Sequence, residues 1–140
     1  MEKSITKSIK DLNILIGKNA IDEINPIEYL NHTQIQILVY LIKHRNKEIC
    51  QKDLQKETHL KKASITGTLD ALEDKGAIIR IPSEDDKRKN IIVLSEKALK
   101  AKNKIEKKYE EIENRIKIGI KEKDLEIFFN VIGKMERNLK

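Results

Sequence analysis

The stretch Leu69-Asp70-Ala71-Leu72-Glu73-Asp74-Lys75-Gly76-Ala77-Ile78-Ile79-Arg80 changes its period halfway along. Upstream, Ile65, Leu69 and Leu72 recur at spacings of four and three, which is one face of an α-helix. Gly76 falls where a helix ends on a left-handed residue. Downstream, residues 77–81 form a short β-branched run, and residues 90–94 form a second. Between them lies Pro82-Ser83-Glu84-Asp85-Asp86-Lys87-Arg88-Lys89, dominated by charge. A helix therefore runs into a β-hairpin with a long charged tip.

Working outward from this helix (residues 62–75), a brief turn at His59-Leu60 separates it from a shorter helix over residues 51–58. Leu54 points inward there, and Cys50 stands at the N-cap. Before it, Asn31 is a good N-cap residue for a helix that is apolar almost all round: Ile35, Ile37, Leu38, Val39, Tyr40, Leu41 and Ile42. A helix without a wet face sits in the middle of a fold. It ends in a polar turn over residues 44–47. At the start of the chain, Ile5, Ile9, Leu12 and Ile16 predict a helix over residues 2–25, stopped by Asn25-Pro26 because the residue before proline is pushed out of the α region. Residues 27–30 read as a connector. After Ser95, an N-cap, Ala98, Ala101, Ile105, Tyr109, Ile112 and Ile116 predict one long helix with a heptad-like seam. Gly119 interrupts it, and a last helix carries Leu125, Phe128, Phe129, Ile132 and Leu139.

Composition limits what such a chain can do. Its 140 residues suit one domain with helical extensions, and 39% hydrophobic residues suit a modest core. Five Gly and two Pro argue against an all-β or low-complexity chain. With 4% aromatics and no Trp, neither a large aromatic ligand cage nor a base-stacking platform is expected. A net charge of +6 fits either a Lys-rich soluble protein or one with an anionic partner, nucleic acid or a membrane surface. One cysteine permits no intrachain disulfide and suits a reducing compartment. No apolar run approaches a membrane span, and Met1-Glu2-Lys3-Ser4 opens no signal peptide, so a cytoplasmic protein is expected. His32, His44 and His59 lack metal-ligand spacing with the cysteine, so no metal and no cofactor are expected. There is no Gly-rich phosphate loop, nucleophile elbow or paired-carboxylate motif, and no enzyme is expected.

The fold class is mainly α with a small β-hairpin. Two short helices joined by a tight turn, followed by a hairpin with basic residues at its tip, are the layout of a winged helix-turn-helix. In that layout the second helix enters a DNA major groove and the hairpin supplies a second contact. With Ile65 facing the core, Ala63, Thr66, Gly67 and Asp70 face outward, flanked by Lys62 and Ser64. The reading head is then small. Ala63 and Thr66 are suited to thymine methyls and Ser64 to a base edge or phosphate, so target choice would lean on A·T-rich shape. Mid-helix Gly67 is either a tolerated defect or a place where the helix backbone comes close to the base edges. Lys61 and Lys62, at the helix N-terminus, suit phosphates or simply favour solubility. Arg88 at the wing tip fits a narrow minor groove. Asp86 orients it or caps the turn, and Lys87 and Lys89 suit phosphates, unless the whole run is a solvated charged loop. Arg80 either pairs with an acid or meets a phosphate. Cys50 is either an N-cap in place of serine or a reactive thiol.

The run 54–80, the wing tip Asp86-Lys87-Arg88 with the strand Ile91-Ile92-Val93-Leu94-Ser95-Glu96-Lys97, and one helix before with two after together resemble the MarR family of bacterial transcription regulators. The chain departs from that pattern at Gly67, where an Arg or another long polar residue is usual nearby, and at Lys61, where Ser or Thr is frequent. The resemblance implies a winged helix-turn-helix lobe over residues 30–97 and a helical dimerisation lobe built from residues 1–25 and 98–140. It implies a homodimer on a near-palindromic operator, acting as a repressor released by a small-molecule effector. The effector pocket would be lined by Ile16, Ala20, Tyr29 and Tyr40, residues that otherwise read as ordinary core. The family's peroxide-sensing branch carries its cysteine in the first helix, where this chain has none. Two other readings are a winged-helix protein-interaction adaptor, which the acids Glu84-Asp85-Asp86 favour, and a DNA-coating protein without sequence preference.

Overall fold

A computed structural model describes residues 3–19, 22–24 and 27–140. The order is α1 (Ile5–Asn19), β1 (Asp22–Ile24), β2 (Ile27–Leu30), α2 (His32–Lys43), α3 (Gln51–Thr58), α4 (Lys62–Asp74), β3 (Ile78–Pro82), β4 (Asn90–Leu94), α5 (Glu96–Lys100), α6 (Lys102–Lys117) and α7 (Glu122–Leu139). The strands form two separate antiparallel pairs, β1 with β2 and β3 with β4.

Helix α2 is the centre of the core. Its N-terminus is closed reciprocally: the Gln34 amide donates to Asn31 Oδ1 (2.9 Å), and the Asn31 amide donates to Gln34 Oε1 (3.0 Å). Ile35, Leu38 and Ile42 of α2 are buried together with Leu54, Ile65, Leu69, Leu72, Ile78, Ile92 and Ile105. The tight turn between α3 and α4 rests on His59 in the left-handed region (φ 57°). At the far end of α4, Gly76 takes φ 73°. Its amide donates to Glu73 O and that of Ala77 to Leu72 O, each at 2.9 Å. These two bonds satisfy carbonyls that the end of the helix leaves open.

The wing is a regular ladder from Ile78↔Leu94 to Pro82↔Asn90. Its strand β4 is held at both ends. The Ile92 amide donates to Ile49 O (2.7 Å), and Cys50 forms a β-bridge with Ile91. Just past the end of the same strand, Ser95 Oγ donates to Gly76 O (2.6 Å) while accepting from the Ala98 amide (3.1 Å).

Two expectations are corrected. The first helix ends at Asn19, not at residue 25, and residues 22–24 and 27–30 pair as strands where a helix end and a connector were expected. The Asn19 side-chain amide donates to Leu15 O (2.8 Å) and closes the last turn, after which the isoleucine-rich segment satisfies its backbone by strand pairing. The single helix expected after Ser95 is instead α5 and α6, bent at Ala101 (φ −90°, ψ 2°). Ala98, Ala101 and Ile105 all remain in the core through the bend, so packing sets it.

Helices α1 and α7 bury no residue within the protomer. Ile5, Ile9, Leu12 and Leu15 of α1 and Ile127, Phe128, Phe129 and Leu139 of α7 are exposed. Among the described residues, no helix is long and apolar enough to cross a membrane, and no cluster of His, Cys, Asp or Glu could hold a metal ion.

His32 opens α2 with its ring parallel to that of Tyr109 (centroids 6.4 Å apart), and its Nδ1 is buried without a partner among the described residues. Burial holds its pKa below the ordinary 6.5, against the opposing pull of Glu113. The unfolded chain therefore takes up this proton first as pH falls. Stability is complete above about pH 6.5 and declines below it. The thermal midpoint should fall between about pH 7.5 and 5.5, and fall less in His32→Phe. Equal slopes in the two proteins would show that His32 is not responsible.

Candidate nucleic-acid interface

Helix α4 presents Lys61 at its N-cap, then Lys62, Ala63, Ser64 and Gly67 exposed on one face. Ile65, Leu69 and Leu72 anchor the opposite face, each at 0% exposure. Thr66 is half-buried, and its hydroxyl is engaged twice. It donates to Lys62 O (2.8 Å) and accepts from Gln51 Nε2 of α3 (2.8 Å). Only its methyl remains for an external contact. Beyond Lys61 and Lys62 at its start, the outward face thus offers methyls, the Ser64 hydroxyl and bare backbone.

Gly67 has open space around it: a Cβ there would meet nothing within 4 Å. Nothing inside the protein requires a glycine, and a mid-helix glycine costs about 1 kcal/mol relative to alanine. Gly67→Ala should raise the thermal midpoint by a few degrees and, if the helix backbone lies against the base edges, lower the affinity for duplex DNA. A rise in the midpoint with unchanged affinity would leave Gly67 a tolerated defect.

At the wing tip, Asp86 Oδ1 accepts from the Arg88 amide (3.0 Å) and from Arg88 Nε (3.3 Å). These bonds, that of the amide first, hold the Asp86 carboxyl below its usual range. Asp86 thus both closes the turn and steadies the base of the guanidinium. The Arg88 side chain is 92% exposed. Lys87 and Lys89 are exposed beside it. Arg80 is different. Its side chain is 20% exposed, and it donates to Asp70 (2.6 Å) and twice to Glu73 (2.9 and 3.3 Å), joining β3 to α4. Both acids push its pKa further up, and Arg80 in turn lowers that of Glu73. Arg80 therefore has a structural place, and it neutralises two carboxylates beside the reading face.

Cys50 caps α3, and Asp53 Oδ2 accepts from its amide (2.9 Å). The cysteine also lines a cleft of about 290 Å³ between α3, α4 and the wing, with Gln51, Lys52, Gln55, Lys62, Arg88, Lys89 and Asn90. Gln51, Lys52 and Gln55 were not singled out from the sequence.

Of the four expected effector-pocket residues, the three that are described, Ile16, Tyr29 and Tyr40, do not line one cavity. Tyr40 lines a cavity of about 300 Å³ between α2, α3 and α6, with Lys43, His44, Glu57, Thr58 and Tyr109. Burial first, and Glu57 after it, raises the pKa of Tyr40; burial, then Glu113 and Glu57, raises that of Tyr109. Ile16 lies in a separate groove between α1 and α6 with Leu12, Ile112 and Arg115. Tyr29 is 62% exposed with φ 56°, its carbonyl accepting from Lys75 Nζ (2.6 Å). Ala20 lies outside the described residues.

Residues 30–89 match the family model described as the MarR family. Solved structures that share the fold include the following three. The S. aureus MepR–DNA complex aligns over 99% of this chain and 100% of its own, at 20% identity and a TM-score of 0.86. The transcription regulator MarR from Oenococcus oeni PSU-1 aligns over 96% and 99%, at 22% identity and 0.77. The PcaV transcriptional regulator from Streptomyces coelicolor, in complex with its natural ligand, aligns over 97% and 92%, at 12% identity and 0.79. Residues 30–89 thus match the MarR family model, and the chain shares the fold of these solved structures over nearly its whole length.

Proposed function

We propose that the chain is a cytoplasmic, sequence-specific regulator of transcription that binds double-stranded DNA as a homodimer and acts as a repressor. Residues 30–97 are its DNA lobe, and residues 1–25 and 98–140 its dimerisation lobe. The observation that carries the reading is that α4, with Lys61 and Lys62 exposed at its start and the small residues Ala63, Ser64, Thr66 and Gly67 after them, shares a cleft with the wing, where Lys62 comes together with Arg88 and Lys89. The acids beside it, Asp70, Glu73 and Asp86, are all held by arginines. MepR, of the same fold, was solved as a DNA complex.

Base-edge contacts from such a head are few, so the operator is chosen by A·T-rich shape and by Arg88 in the minor groove. Release by a small molecule is part of the proposal, with the Tyr40–Tyr109 cavity between the HTH helices and α6 as its seat; PcaV was solved with its natural ligand. Selection of binding sites from random DNA tests the reading. Paired A·T-rich half-sites are expected, and strong G·C preference at the half-site centres would refute it. The adaptor reading draws on Glu84 and Asp85, exposed at the tip. It would be favoured if no duplex bound at about 50 mM salt.

A further inference from the structure

Helix α1 belongs to the dimerisation lobe proposed above, and α4 carries the reading head. The chain passes from α1 to the winged helix through the short pair β1–β2, which leads directly into α2. Both ends of this crossing are tied. At the α1 end, Arg115 Nη1 of α6 donates to Asn19 Oδ1 (2.9 Å). At the α2 end, Ile27 and Leu30 are fully buried in the core. Between those two stands Tyr29, in the left-handed region that a residue with a side chain seldom adopts. Its ring is exposed and does not hold the backbone there. Its carbonyl is held instead.

The holder is Lys75, the residue that closes α4. Its amide donates to Ala71 O (3.0 Å). Its ammonium reaches back to Tyr29 O (2.6 Å) and to Gln34 Oε1 (3.0 Å). Gln34 is buried, and the same oxygen accepts from the Asn31 amide in the cap of α2. One side chain therefore joins the end of the reading helix, the left-handed residue of β2 and the first turn of α2. Both acceptors are neutral oxygens, and bonds from a charged donor to them are stronger than neutral ones. Lys75 stands at the opposite end of α4 from Lys61 and Lys62, so it serves the reading face only through the helix it anchors.

Resting on the DNA-binding pair proposed above, we propose that Lys75 is a positioning residue for operator binding. It locks the end of α4 to the β2–α2 junction, and so fixes the angle at which each reading head leaves α1 and the spacing of the two heads. Two heads gain from being linked only where both are seated at once. They must stand about 34–36 Å apart, and a small change of angle at the junction is magnified over that reach.

Two duplexes separate positioning from stability: one with the half-sites at their selected spacing, and one with a single base pair inserted between them. The insert moves one half-site by about 3.4 Å and turns it by about 34°. The wild-type protein should bind the lengthened duplex about thirtyfold more weakly. Lys75→Met keeps the aliphatic stem and loses the charge and the donors. It should bind the original duplex several-fold more weakly, yet lose only about threefold more on the lengthened one, so that the spacing ratio falls about tenfold. Lys75→Gln, a milder change, should give an intermediate ratio, and Lys75→Arg should restore it. The sole thiol, Cys50 at the cap of α3, places one spin label in each DNA lobe. Pulsed electron paramagnetic resonance on the DNA-free pair should give one narrow distance in the wild type and a broader one in Lys75→Met. Wild-type ratios and distances in both neutral variants overturn Lys75 as a positioning residue and leave the DNA-binding reading standing. Equal weakening at both spacings with a lowered thermal midpoint makes its role structural and overturns it as well. A wild-type protein that binds neither duplex and shows no distance between labels overturns both proposals.

Discussion

Arg88→Ala should weaken binding to the selected duplex at least about tenfold and leave the thermal midpoint where it was. The side chain is 92% exposed, and its one recorded partner is Asp86, bonded at Nε. Removing it opens no cavity and orphans no buried group. An exposed pairing of this kind adds little to stability. In the proposed interface the same guanidinium would enter the negative potential of a narrow minor groove, where it is worth far more. Arg88→Lys should recover only part of the loss, because an ammonium is more strongly hydrated than a guanidinium and has no planar fork. Fluorescence anisotropy and a thermal melt on the same preparations decide the matter. Unchanged affinity would remove Arg88 from the interface, and a lowered midpoint would make its role structural.

Phe129→Glu should have the larger effect, converting the protein to a monomer and lowering operator affinity about a hundredfold or more. Helices α1 and α7 span Ile5–Asn19 and Glu122–Leu139 yet bury no residue in the protomer. Phe129 is 61% exposed and Phe128 48%, with their rings 5.3 Å apart edge to face. Each large apolar side chain brought under cover contributes about 1.5–3 kcal/mol, so a face this rich in them favours a second copy strongly. A carboxylate in that face leaves a charge with no partner when the copies meet. Two reading heads on one duplex must stand about 34–36 Å apart, one helical turn, and only a fixed pairing holds them so. Losing the pairing makes the second head's binding a separate event, which is where the affinity goes. Light scattering and anisotropy on the variant test this. A variant that remains dimeric with full affinity would place the interface elsewhere.

The winged-helix half of the molecule was legible because its signals are local. The change of period at Gly76, the caps at Asn31 and Ser95, and the stripe Ile65, Leu69, Leu72 each depend on near neighbours, and each is found in the structure. The second sheet was not legible. Its strands have three and four residues, too short for alternation to show, and the helical spacing of Ile5, Ile9, Leu12 and Ile16 invited extension past Asn19. The bend at Ala101 was hidden for the opposite reason: alanine is the best helix former, and only packing against the core interrupts it there. The cleft depends on Cys50 meeting Ile91 across the whole of α3, α4 and the wing, which no short window of sequence contains. The three described pocket residues, Ile16, Tyr29 and Tyr40, failed to converge for the same kind of reason. Ile16 turns toward α6, and the Tyr29 backbone is held outward with its carbonyl on Lys75.

Everything proposed here requires two winged helices carried by one stable pair of chains. Sedimentation equilibrium of the purified chain measures this directly. A mass of about twice 16.3 kDa that persists on dilution is expected, with one duplex bound per pair. A mass of 16.3 kDa at every concentration would contradict it.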